Sequence, residues 1–146
     1  MADAIVLTRL PVRVTVSGAT MSLAESIDVS KYDLAEFLLQ LLALTGTSPT
    51  IQIDIITGMQ KESEDGWVIW ASFTSQSSAP AMERKTADRP FKYIRWKVTT
   101  LGGTSPTATF YIDGMVRTNG WRRSTARALV RRPSASKARA RAVAAG

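Results

Sequence analysis

Three neighbouring carboxylates, Glu62, Glu64 and Asp65, are the densest group of potential metal ligands in this sequence. Calcium takes six to eight oxygens in an ordered loop. These three lack an Asp-x-Asp-x-Asp-Gly rhythm, and Lys61 sits beside them, so they read as a solvated loop tip. No two acids suggest the carboxylate pair of a glycosidase. The sequence contains neither His nor Cys. Ser-His-Asp triads, Cys-His pairs, histidine or thiolate metal sites and disulfides are therefore excluded from this chain alone. Carboxylate, lysine and tyrosine chemistry remains open, yet no catalytic residue, metal or cofactor is expected, and the chain reads as a non-enzyme.

The aromatic set Trp67, Trp70, Tyr93, Trp96 and Trp121 invites stacking on sugars or bases. Trp96 alternates with Ile94 and Val98, which marks it as core. Trp67 and Trp70 would face opposite sides of a regular strand, leaving one exposed. Buried area is the commoner use of aromatics in a small β domain. A carbohydrate-binding role for Trp67 or Trp70 is the weaker reading. Gly102-Gly103 lacks the Gly-x-x-x-x-Gly-Lys-Ser/Thr spacing of a phosphate loop.

The strongest functional signal is a charge split. Residues 1–113 hold all 12 acids and 10 of the 19 bases, a net charge of −2, whereas residues 114–146 hold no acid and nine bases. Those nine are Arg117, Arg122, Arg123, Arg127, Arg131, Arg132, Lys137, Arg139 and Arg141. Beyond Ala128-Leu129-Val130 the arm has almost nothing large and apolar to bury, so it cannot offset its own ordering entropy. Ser124 is placed to cap a short helix through Arg132, which Pro133 would end. Such an arm suits phosphates or an acidic protein surface.

The elements that must carry these residues follow from an internal repeat. Gly46-Thr47-Ser48-Pro49-Thr50 recurs as Gly103-Thr104-Ser105-Pro106-Thr107 at an offset of 57 residues. Gly and Ser-Pro favour turns, so each copy predicts strand, tight connection, strand. Residues 34–44 are rich in helix formers. Their counterpart, Phe91 to Thr100, alternates strictly: Ile94, Trp96 and Val98 one way, Arg95, Lys97 and Thr99 the other. The repeat makes 35–44 a strand too, with Phe37, Leu39, Leu41 and Ala43 inward. Its outer face then presents Leu38, Leu42 and Leu44. Such a face needs cover, either from a loop or the N-terminal segment, or from another subunit.

Further strands are predicted at Ile5–Thr8, Val12–Val16, Ile51–Ile55, part of Gly66–Phe73, and Thr107–Val116. Gly58–Asp65 reads as a polar hairpin loop and Thr74–Ala87 as a long polar connection. The expectation is an all-β fold, a β-sandwich or jelly roll of about seven or eight strands over residues 1–116, followed by a basic arm at 117–146. No apolar run reaches the roughly 18 residues that span a bilayer. The N-terminus lacks a secretory layout, because its first charge is Asp3.

Several short motifs carry a resemblance. They are Ile27-Asp-Val-Ser-Lys-Tyr32, Ile51-Gln-Ile-Asp-Ile55, an acidic-Gly turn into Trp67, Phe73-Thr74, Tyr93-Ile-Arg-Trp96, Phe110-Tyr-Ile112 and the two Gly-Thr-Ser-Pro-Thr copies. Over residues 22–116 the chain resembles small β-sandwich virion proteins of tailed bacteriophages, which are similar to discoidin-like jelly rolls. The resemblance implies a many-copy virion component without catalysis, and gives no position in the virion. With no address label and no membrane span in the sequence, synthesis is expected in a host cytoplasm; the expected partners are other virion proteins (major capsid or connector subunits) and further copies of itself. The arm lies outside the resemblance. A capsid decoration or cement protein is the leading expectation; a head–tail connector or tail component, or a module whose arm binds nucleic acid, are the alternatives.

Overall fold

Two strands of 25 residues each carry this fold. The structure, a computed structural model, describes residues 2–118. In chain order the strands are β1 (Ala2–Val6), β2 (Val12–Val14), β3 (Ile27–Asp28), β4 (Leu34–Gly58), β5 (Val68–Ser72), β6 (Ala81–Asp88) and β7 (Tyr93–Arg117). All seven join one antiparallel sheet. No α-helix occurs among the described residues, and Leu23–Glu25 forms a single 3-10 turn capped by the Ser22 hydroxyl.

The long strands β4 and β7 pair with each other from Leu34↔Arg117 to Gly58↔Tyr93. Every other strand attaches to one half of this ribbon. β6 lies along residues 34–41 of β4 and β5 along 54–57, while β1, β2 and β3 attach to successive stretches of β7. A straight 25-residue strand would run about 80 Å. This one does not run straight. Trp96 and Phe110, both on β7, meet edge-to-face with ring centroids 5.3 Å apart, where a straight strand would separate them by roughly 45 Å. The sheet therefore curls until its two halves face each other across a common core.

The core is the inward row of both halves: Phe37, Leu39 and Leu41 meet Ile51, Ile53, Ile55, Ile94, Trp96, Val98, Phe110 and Ile112. The strand reading of residues 35–44 holds against their helical composition. Burial alternates without a break from Ala35 to Leu41, the period of a strand and not of a helix. Ala43, expected inward, is only half-buried, because the register slips between Leu41 and Ala43.

The repeat has a different meaning from the one its turn residues suggest. The two Gly-Thr-Ser-Pro-Thr segments do not end strands. They lie opposite each other inside the β4–β7 ladder, with pairs Thr45↔Thr107, Thr47↔Thr104 and Thr50↔Gly102 and register shifts between them. Pro49 and Pro106, which have no N–H to give the ladder, fall in the skipped positions. Gly46 and Gly103 take φ of 118° and 107°, and Ser48 and Ser105 take 50° and 48°. An approximate two-fold axis thus passes between Thr47 and Thr104. Turn chemistry is present, but it bends a continuous strand as paired bulges instead of closing a hairpin.

One strand was hidden in the sequence. The expected polar connection Thr74–Ala87 holds all but the last residue of β6, whose residues alternate half-buried and exposed along the edge of β4. The polar loop after Gly58 does join the antiparallel pair β4–β5 as a hairpin.

Candidate functional site

Arg95 belongs to the face of β7 expected to meet solvent, yet only 1% of it is exposed. Its Nε donates to the Met21 carbonyl at 2.7 Å, and its two terminal nitrogens donate to the two carboxylate oxygens of Glu64 at 2.8 and 2.9 Å. The guanidinium also lies 4.7 Å from the Trp67 ring centroid. Glu64, read as part of a solvated tip, is the anchor that folds the β4–β5 loop over this cation. Two-thirds of the Glu64 side chain stays exposed. The bonds from Arg95 hold its carboxyl below the ordinary carboxylate range. Trp67 completes the clasp: its indole N–H donates to the Ser63 carbonyl at 3.0 Å, and its ring lies where a Cβ on Gly58 would stand.

A second polar cluster surrounds the buried Asp54. Gln52 Nε2 donates to Asp54 at 3.0 Å and to the Phe73 carbonyl at 2.5 Å, and the Thr99 hydroxyl donates to the other Asp54 oxygen. Both clusters are saturated by their own neighbours. Among the described residues no buried side-chain polar atom lacks a partner, and no three potential ligands gather as a metal site. The remaining aromatics are also committed. Trp70 donates to the Asp88 carbonyl at 2.8 Å and meets Phe37 edge-on at 5.7 Å, and Lys61 and Lys92 both lie over the Tyr93 ring. Trp121 lies outside the described residues.

Two concavities are formed by described residues. A cleft of about 630 Å³ opens between the Val6–Val12 turn and the side chains of Met21, Ile27 and Trp96. A smaller groove, about 300 Å³, lies on the outward face of the half-sheet β6–β4–β7–β1, between Glu36, Leu38, Arg84, Asp113 and Met115. Register defines that face. One row crosses it as Arg84, Leu38, Asp113 and Val6; the next reads Thr86, Glu36, Met115 and Ala4; a third reads Met82, Gln40 and Tyr111. Met82 is 67% exposed, Val6 52% and Met115 50%. Arg84 pairs with Glu36 at 3.2 Å, while no ion pair reaches Asp113 among the described residues.

Of the leucines expected to form an interface, Leu38 lines this groove and Leu42 is exposed beyond it, whereas Leu44 is half-buried against the core. The slip after Leu41 turns Leu44 inward. Arg117 is exposed at the last position of β7. Arg122, Arg123, Arg127, Arg131, Arg132, Lys137, Arg139 and Arg141 lie outside the described residues. Sequence reasoning missed Val6, Met82, Asp113 and Met115. Only the alternation of β6 and the exact β1–β7 register could have placed them on one face with Leu38.

No protein-family model and no curated protein matches the chain. Solved structures do resemble it. The PBSX exported protein XepA aligns with a TM-score of 0.50 at 13% identity, over 80% of this chain and 37% of its own. The chain thus spans little more than a third of XepA. The SPBc2 prophage-derived protein YomS aligns at 0.45 with 12% identity, over 80% of this chain and 92% of its own. A pilus protein of Bacillus endospore appendages, from a disulfide-linked family, aligns at 0.46 with 13% identity, over 81% and 87%. At such identities the likeness is one of fold.

Proposed function

We propose that this chain is a non-enzymatic structural protein of a bacteriophage particle, present in many copies, and specifically a decoration or cement subunit on the shell. The observation that carries the reading is the charge split: a body of net charge −2 joined to an acid-free arm with nine bases. The body, residues 1–116, acts as a two-layered β-sandwich whose faces meet neighbours. The arm, residues 117–146, lies across an acidic surface of a neighbouring subunit as a clamp.

Single exposed ion pairs contribute only about 0–1 kcal/mol each, so a clamp of this kind works through many contacts repeated over a symmetric shell. Three things support the reading. The fold is like that of an exported PBSX protein. The buried polar groups of the body are spent on bonds to their own neighbours. The sequence has no histidine or cysteine to build the common catalytic constellations.

The test is particle association with the arm altered. Changing the nine bases of residues 117–146 to glutamine should release the protein from particles at physiological salt. Unchanged association would remove the clamp. Retention of particle binding with loss of duplex-DNA binding would move the arm's role to packaged nucleic acid.

A further inference from the structure

The arm needs a receptor, and the outward face of β6–β4–β7–β1 has the chemistry for it. Resting on the reading above, we propose that the groove around Asp113 receives the arm of a second copy of this chain. The groove is apolar on its flanks, from Leu38, Met115 and the adjacent Val6, and holds one carboxylate that no described cation pairs. The arm offers the complement. Within Arg127-Ala-Leu-Val-Arg-Arg132, guanidinium groups bracket the arm's only large apolar pair, Leu129-Val130. A guanidinium meets a carboxylate through two parallel hydrogen bonds, a geometry lysine does not reproduce. Leu129 and Val130 would cover the exposed Met115 and Val6.

The direction of β7 selects the second copy over the same chain. β7 crosses the groove at Asp113 and Met115 and then leaves it, ending at Arg117, whose carbonyl accepts from the Asp33 amide at 3.1 Å. Both flanks of that last residue are already paired, to Leu34 and to Ala2. The strand has therefore run past its own groove where it ends. The 29 residues that follow can reach up to about 95 Å when extended, enough to cross to a neighbour without contact between the bodies. Each copy then supplies one arm and one groove. That is a heterologous contact, which closes into a ring or propagates around a shell.

The absence of cysteine makes a clean test available. Two full-length variants, Met115→Cys and Ala128→Cys, are mixed and mildly oxidised, and the products are separated without reductant and identified by mass. The expected main product is the 115–128 heterodimer. Its yield should fall several-fold when Asp113→Asn is added to the Met115→Cys copy, and again in 0.5 M salt, about where the screening length has shrunk below 5 Å. Absence of the heterodimer, or a yield indifferent to Asp113→Asn, overturns the proposal. So does a single chain carrying both cysteines that closes on itself at high dilution in preference to cross-linking. If the heterodimer is absent while the arm-neutralised chain still leaves particles, the arm grips another virion protein and the clamp itself stands.

Discussion

Gly46 and Gly103 each sit where a Cβ would press on the opposite copy of the repeat. On Gly46 it would meet the Thr104 carbonyl oxygen at 2.8 Å, and on Gly103 the Thr47 carbonyl oxygen at 2.7 Å. Their positive φ adds backbone strain to the clash. Gly46→Ala and Gly103→Ala should each lower unfolding free energy by about 2–4 kcal/mol, and by similar amounts, because the two sites are related by the internal two-fold. Urea titration of both variants checks this, and a large cost at one site with none at the other would break the symmetry argument. Arg95 and Glu64 belong to the same scale. Glu64→Ala strands a buried guanidinium and should cost about 1–3 kcal/mol, since Glu64 is itself largely exposed. The carboxyl pKa is lowered in the folded state, so the stabilisation is complete above the unfolded value near 4.3. It is lost as pH falls through the lower folded value. Trp67 fluorescence should therefore change on acidification before global unfolding, and Glu64→Gln should abolish that early step.

At the scale of elements, the ribbon β4–β7 should be the slowest part of the molecule to exchange its amide hydrogens. Its strands are paired along nearly their whole length, and the inward rows on either side of its central bulges are buried. The edge strands β5 and β6 have partners on one side only in that ladder and should exchange faster. Protection in β6 equal to that in β4 would contradict this order. The same scale separates what the residues declared from what they concealed. Alternation in Phe91 to Thr100 and its repeat in 34–44 were legible, because period two survives even in a leucine-rich segment. The bulges were not. A Gly-Ser-Pro cluster ends a strand in most settings, and only the pairing of the copies with each other reveals a continuous bend. β6 was masked because an edge strand buries little and so needs few apolar residues. Arg95 looked like a surface residue because alternation identifies a face but not the loop that covers it. Of the interface leucines, Leu38 was legible from alternation, whereas the slip that turns Leu44 inward leaves no mark in composition.

At the scale of the whole molecule, two parts of opposite charge share one chain. All the acids lie at or before Asp113, and nine of the 19 bases lie after it. Among the described residues, the curled sheet satisfies its buried side-chain polar groups and leaves a mixed apolar and acidic groove outward. In the proposed reading the body contributes shape and the arm contributes association. Salt should then act on assembly much more than on folding. Raising ionic strength from about 0.05 to 0.5 M should dissociate complexes held by the arm while the urea midpoint of the body shifts little, because the core is apolar and the buried Arg95 is paired at 2.8 Å. A urea midpoint that falls in step with assembly would tie the arm to folding instead.

The most direct measurement is the solution size of the purified full-length chain by light scattering, at low and high salt and with short duplex DNA. The comparison is the chain with the nine bases of residues 117–146 changed to glutamine. The account predicts a defined oligomer for the full-length chain that ignores DNA and dissociates in salt, and a monomer for the neutralised arm. A monomer that binds DNA in an arm- and salt-dependent way would contradict it.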